Sequence, residues 1–145
     1  MPDKDLLDTL HALMHQFKRH MHDALRATDG GVGPMESRVL GYVARHPGHS
    51  ATDLVAHSGR DKAQITRLVQ QLVDRGWLLR EPDPADGRRH RLALSASGRS
   101  VQRLMQQQRQ RFASRMTADL SAAEQQQLQA LLLRVLAAGE AAQSK

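Results

Sequence analysis

The chain of 145 residues sets 21 Lys and Arg against 15 Asp and Glu, for a net charge of +6 with histidines neutral, and has no cysteine. That length allows one domain or one subunit of an intertwined oligomer. The missing thiols exclude disulfides, thiolate metal sites and thiol redox sensing, and the basic balance favours polyanions, nucleic acid before an anionic membrane surface.

No apolar run approaches the ~18 residues of a membrane span. The N-terminus holds Asp3, Lys4 and Asp5 and no secretory apolar region. No membrane partner is expected, and a cytoplasmic setting is. A helix is expected over residues 5–27, with Leu6, Leu10, Leu13, Met14, Phe17 and Met21 as its apolar stripe. His11, His15 and His22 lie on another side of it. An i, i+4 pair of imidazoles can hold a metal, but a solvated or subunit-facing polar stripe explains them as well and is preferred, so neither metal nor cofactor is expected. Asp29 to Gly33 forms a loop, and Pro34 suits the first position of a second helix. There Val39, Leu40 and Val43 face the core, while Tyr42 either lines a cavity or packs, packing being favoured. Pro47-Gly48 makes a turn.

Ser50 to Gly59 then reads as a short helix, with Ser50 and Asp53 as reciprocal caps, Leu54 and Val55 inward, and Gly59 as its stop. Asp61 suits the N-cap of the next helix, with Gln64 at the capping-box position. On that helix Ile65, Leu68, Val69 and Leu72 share one face, and Ala63, Gln64, Arg67, Gln70 and Gln71 the other. Amides and an arginine on one helix face suit the major groove: Gln can pair with adenine and Arg with guanine. Arg60 and Lys62 sit at the helix N-terminus, where the dipole already favours phosphate. An ordinary solvated helix face explains this stretch equally well when taken alone.

The stretch from Trp77 to Leu94 shifts the balance, although a solvated charged hairpin is common in itself. Trp77-Leu78-Leu79 and Leu92-Ala93-Leu94 are strand-like, and Pro82 to Gly87 between them is dense in turn residues. Arg88, Arg89, His90 and Arg91 come directly after the turn. A hairpin-tip arginine can enter a minor groove, and Asp86 is expected to hold Arg88 by a charge-assisted hydrogen bond. Helix, turn, helix and two-stranded wing make a reading head for duplex DNA.

Ser95 is expected to cap a helix of about residues 96–116, with Val101, Leu104, Met105, Phe112 and Met116 as a sparse stripe. Ser121-Ala-Ala-Glu124 is a capping box opening the last helix, where Leu128, Leu131, Leu132, Val135 and Leu136 form a wide apolar face. The terminal helices expose more apolar surface than a small reading head covers, and a second subunit is the natural sink.

Asp86-Gly-Arg88, then Leu92-Ala-Leu94-Ser95 and Gly98, resemble the wing signature of the MarR (multiple antibiotic resistance regulator) family. The resemblance extends through Pro34-Met-Glu-Ser-Arg-Val-Leu40 and Leu120-Ser-Ala-Ala-Glu124. It maps the family's wing arginine to Arg88, the supporting aspartate to Asp86 and the recognition-helix arginine to Arg67. Ser95 stands where the family usually has threonine; both cap a helix.

The expected fold is mainly α with a small β-wing: a winged helix-turn-helix with N- and C-terminal dimerisation helices. It forms one domain, 1–145, with the DNA-binding core at 34–95 and dimerisation helices at 5–27 and 96–141. The expected function is a homodimeric, sequence-specific regulator, a repressor by family habit, on a pseudo-palindromic operator of double-stranded DNA. Lys62, Ala63, Gln64, Thr66, Arg67 and Gln70 form the recognition-helix contacts. Arg60, Asp86, Arg88, Arg89 and His90 form the wing and flanks. The resemblance also implies a small-molecule effector, with Phe17, Met21 and Tyr42 as candidate lining residues. A winged-helix module for protein partners and a metal-responsive regulator using the histidines of the first helix are the alternatives. His49-Ser50 and His57-Ser58 lack a third orienting group for catalysis, and no phosphate-cradling glycine loop is present, so no enzyme is expected.

Overall fold

The computed structural model describes residues 2–26 and 31–144. Among the described residues six helices and one hairpin succeed one another in order: α1 Pro2–Leu25, α2 Pro34–Arg45, α3 Ala51–Ser58, α4 Lys62–Asp74, β1 Leu78–Pro82, β2 His90–Leu94, α5 Ala96–Met116 and α6 Ala122–Gln143. This is the mainly helical winged fold expected. Helix α1 starts at Pro2 and ends at Leu25 rather than spanning 5–27; residue 27, like Asp29 and Gly30 of the loop, lies outside the described residues. Among the described residues no helix is long and apolar enough to cross a membrane.

Two compact units divide the chain, Met1–Arg109 and Gln110–Lys145. In the first, Leu40, Ile65, Val69, Leu72 and Leu78 are the largest fully buried side chains. Full burial of such a side chain stabilises by about 1.5–3 kcal/mol. Around them pack Val39, Tyr42, Val43, Leu54, Trp77, Leu92, Val101 and Met105. Only the C-terminal end of α1 joins this core: Leu25 is buried and Met21 packs against it, whereas Leu6, Leu7 and Met14 are exposed. In the second unit, α6 has no buried residue.

Local chemistry explains the boundaries. Ser50 Oγ accepts from Asp53 N at 3.2 Å, and Asp53 Oδ2 accepts from Ser50 N at 2.9 Å. Gly59 closes α3 in the left-handed region at φ 65°, where a side chain would be strained. Ser121 and Glu124 cap α6 in the same reciprocal way. Asp61 departs from expectation: its carboxylate makes no capping bond, and only its backbone carbonyl starts α4 by accepting from Ile65 N. The first N–H groups of α4 are therefore left without a side-chain cap from Asp61.

The two strands run antiparallel, from Leu78 opposite Leu94 to Pro82 opposite His90. They are longer than the apolar runs suggested, because pairing continues through Arg80, Glu81 and Arg91 beyond the buried end. Trp77 precedes β1 instead of starting it: its N–H bonds Leu72 O and its carbonyl accepts from Ser95 N. Gly98 lies so close to this turn that a Cβ there would sit 2.1 Å from the Trp77 carbonyl oxygen. Ser95 Oγ accepts from Gly98 N at 3.0 Å and donates to Gly76 O, fixing the start of α5 against the base of the wing. At the end of α4, Arg75 pairs with Glu36 at 2.7 Å, donates to Gly31 O at 2.6 Å, and stacks 3.6 Å over the Trp77 ring. Stacking of this kind contributes about 0.5–2 kcal/mol. The Glu36 contact ties α4 to the start of α2, so α4 is held at its far end as well as along its buried face.

Candidate nucleic-acid interface

The buried stripe of α4 turns its other face outward. Lys62, Ala63, Gln64, Thr66, Arg67 and Gln70 are all exposed. The side chains of Lys62, Gln64, Thr66 and Arg67 make no hydrogen bond or ion pair among the described residues. Arg60 is exposed just before the helix, its backbone N–H bonded to Ser58 Oγ at 3.1 Å. Gln70 stands apart from this group. Its amide donates to Asp74 at 2.8 Å and accepts from Arg80 on β1 at 2.8 Å. Sequence reasoning missed Arg80, because its position on a short strand gives no hint that it reaches across to α4.

The wing tip spans residues 83–89. Asp83 N donates to Arg89 O at 2.9 Å, Ala85 N to Asp83 Oδ1 at 2.8 Å, and Arg89 N to Asp86 O at 3.0 Å. Asp86 holds Arg88 by a charge-assisted hydrogen bond, as expected, but through the backbone: its carboxylate accepts from the Arg88 N–H at 3.0 Å. A short acidic side chain reaches the N–H two residues on more readily than a long side chain folds back. The Arg88 side chain is consequently exposed and unpaired among the described residues.

Arg89 behaves in the opposite way. Expected among the wing's DNA contacts, it folds back to pair with Asp53 on α3, with Asp83 3.8 Å away. Asp53 thus holds α3's N-terminus and the wing together. Its carboxyl sits below the ordinary range, chiefly through the Ser50 N–H, with the Arg89 charge adding to this against the opposing effect of burial. His90 is exposed at the start of β2, while Arg91 is half-buried with its Nε unpartnered among the described residues.

A ring cluster lies on the α2–α3 side of the head. Tyr42 and His49 share a hydrogen bond of 2.7 Å between the phenol and Nδ1. His46 stacks on Tyr42 at 4.2 Å between centroids and donates from Nδ1 to the Tyr42 carbonyl; His57 lies 4.7 Å from the same ring. Loss of water around the phenol, and then the charge of Asp53, push the Tyr42 pKa up. The Tyr42–His46 spacing of four is visible in the sequence; His57 needs the packing of α3. Among the described residues no three His, Asp or Glu side chains are arranged to hold a metal ion. His11, His15 and His22 are exposed on α1. Of the candidate effector-lining residues, Tyr42 is in the core, Met21 packs against it and Phe17 is half-buried. A shallow concavity of about 490 Å³ lies elsewhere, along α6 between Ala122 and Leu133.

A helix-turn-helix carrying a basic hairpin defines a winged-helix regulator. The MarR family model matches residues 30–89. A putative transcriptional regulatory protein for the hcr operon of Thauera aromatica is 31% identical over 124 residues, covering 86% of this chain and 72% of that protein. Wild-type MarR from E. coli, in its apo form, is 25% identical with a TM-score of 0.70, over 90% of this chain and 96% of that one. A cysteine-to-serine mutant of E. coli MarR complexed with operator DNA is also 25% identical, with a TM-score of 0.71 over 91% and 94% of the two chains. The chain belongs to the MarR family of transcriptional regulators. Its relatives regulate transcription and are not enzymes.

Proposed function

We propose that the protein is a homodimeric repressor that reads a pseudo-palindromic operator, with α4 in the major groove and Arg88 in the neighbouring minor groove. The observation that carries this is the division of the polar side chains. Lys62, Gln64, Thr66, Arg67 and Arg88 are exposed and unengaged among the described residues of a basic chain, while Gln70, Asp86 and Arg89 beside them are bonded within the chain. Gln64 and Arg67 read base edges, Arg60 and Lys62 position phosphates at the open N-terminus of α4, and Arg88 answers to minor-groove width. The operator complex of E. coli MarR supports this reading.

The dimer rests on α6, where Leu128, Leu131, Leu132, Leu133, Val135 and Leu136 are 39–57% exposed. Such a contiguous apolar face is rare on a monomer, and a two-fold dimer would place two reading heads on half-sites about one helical turn apart. A small-molecule effector acting near Phe17, Met21 and Tyr42 would change operator affinity only through a difference in its binding to two spacings of the heads. The same reading puts the protein in the cytoplasm, with its DNA.

Selection of bound sequences from random duplex DNA tests the whole proposal: a two-fold symmetric consensus is expected, and no enrichment overturns it. On the selected operator, Arg88→Ala should weaken binding by on the order of tenfold or more, with the dimer intact by sedimentation. Arg67→Ala should narrow the ratio between operator and scrambled DNA. Log affinity should fall against log salt with a slope of about −0.9 per phosphate neutralised.

A further inference from the structure

Two adjacent arginines on the wing have different fates, and the difference points to a third residue. The β1–β2 ladder ends at Pro82 and His90, so the tip beyond it is not oriented by strand pairing. A lone two-stranded hairpin is marginal in water, and its tip needs an outside anchor to keep a fixed angle. Lower on the wing, Leu92 N donates to His49 O at 2.8 Å and Ser50 bridges Arg91, which fastens the base of β2 to the turn before α3. At the tip itself, Arg89 on Asp53 makes the contact to α3.

Asp53 is suited to this because it is already fixed. Its Oδ2 accepts from the Ser50 backbone N–H, so the carboxylate is oriented before Arg89 arrives. Arg89 also faces Asp83 at the root of the tip, which places its guanidinium between two acids on two elements. With Arg89 N–H and C=O both engaged within the tip, the position of its side chain sets the position of the loop that carries Arg88.

We infer that Asp53 is the positioning residue of the wing: through Arg89 it holds the hairpin tip at the angle that presents Arg88 to the minor groove while α4 occupies the major groove. This rests on the DNA-reading proposal above. Asp53 and Arg89 touch no DNA in this arrangement. They act by preorganising Arg88, sparing the complex the ordering of a swinging tip.

Asp53→Asn separates this role from capping. The amide oxygen still accepts from Ser50 N–H, but the charge that holds Arg89 is gone. Two measurements read the effect. Without DNA, hydrogen exchange at the Ala85, Arg88 and Arg89 amides should quicken several-fold in Asp53→Asn while the α4 amides stay protected; unchanged exchange at the tip overturns the latch whatever DNA does. With the selected operator, the cost of Arg88→Ala should shrink at least threefold in the Asp53→Asn background, a coupling of the size seen between interacting neighbours. If Arg88→Ala costs the same factor in both backgrounds, Asp53 does not position Arg88. Should Asp53→Asn fold poorly by circular dichroism, Arg89→Gln cuts the same link from the other side and must give the same coupling. A wild-type protein indifferent to duplex sequence, with the tip exchange responding as stated, would sink the DNA reading and leave the latch standing as a structural contact alone, which overturns the positioning role.

Discussion

Helices α4 and α6 carry the same apolar spacing and meet opposite fates. Ile65, Leu68, Val69 and Leu72 stand at i, i+3, i+4 and i+7, and so do Leu128, Leu131, Leu132 and Val135. On α4 these four are 9% exposed or less; on α6 they are 39–57% exposed. Periodicity makes both helices amphipathic, and it does not say what covers the stripe. The α4 stripe finds α2, α3 and the wing in its own chain. The α6 stripe stays exposed, and on the proposed reading a second copy covers it.

The largest effect that would sharpen this contrast is a pair of substitutions. Leu72→Ala should destabilise by about 2–5 kcal/mol, with a melting temperature that does not depend on protein concentration. Leu132→Glu should leave the reading-head melt close to wild type at low concentration and abolish dimerisation in sedimentation equilibrium. Equal, concentration-independent losses from both would mean that α6 is packed within its own chain and that the contrast is false.

A smaller test uses two helical glycines. Gly98→Ala would drive a Cβ to 2.1 Å from the Trp77 carbonyl oxygen, a backbone atom that cannot step aside alone. Overpacking of this sort costs about 1–3 kcal/mol. A Cβ added at Gly139 on α6 would meet nothing within 4 Å, so Gly139→Ala should gain about 0.5–1 kcal/mol of helix stability. The two signs should be opposite in urea denaturation. A loss at Gly139 would show that a second chain approaches α6 closely there.

The elements themselves were legible because their causes are local. The Ser50–Asp53 and Ser121–Glu124 caps act over three residues, Gly59 stops its helix on the spot, and the apolar stripes repeat within two turns. The candidate site was legible only as far as residue type and register went: an exposed polar face on α4 and an arginine at the wing tip. Which other arginines fold back was not. Arg89 and Asp53 are 36 residues apart, and Arg75 and Glu36 are 39 apart. These pairings arise from how α2, α3 and the hairpin dock, and no spacing rule reports that. Asp86 shows the same limit at short range: its bond to Arg88 was legible, but not that the turn geometry would route it through the backbone N–H.

The smallest effect concerns pH, and it asks whether the Asp53 contact contributes to folding. Its carboxyl is lowered from the ordinary 3.8, first by the Ser50 N–H and then by Arg89. A depressed carboxyl adds stability that is complete above the unfolded value and disappears as pH falls through the folded one. The pair is partly exposed, so its worth is about 1 kcal/mol or less. Asp53→Asn should therefore be slightly less stable than wild type in urea at about pH 6, well above the ordinary carboxyl value, and the two should converge as the pH drops below 3.8, where Asp53 itself becomes neutral. The same convergence should be smaller in high salt, since screening weakens the Arg89 contribution and leaves that of the Ser50 N–H. A stability difference that holds steady across that whole range would assign the defect to lost packing or capping, and would remove the charge of Asp53 from the forces that join the wing to α3.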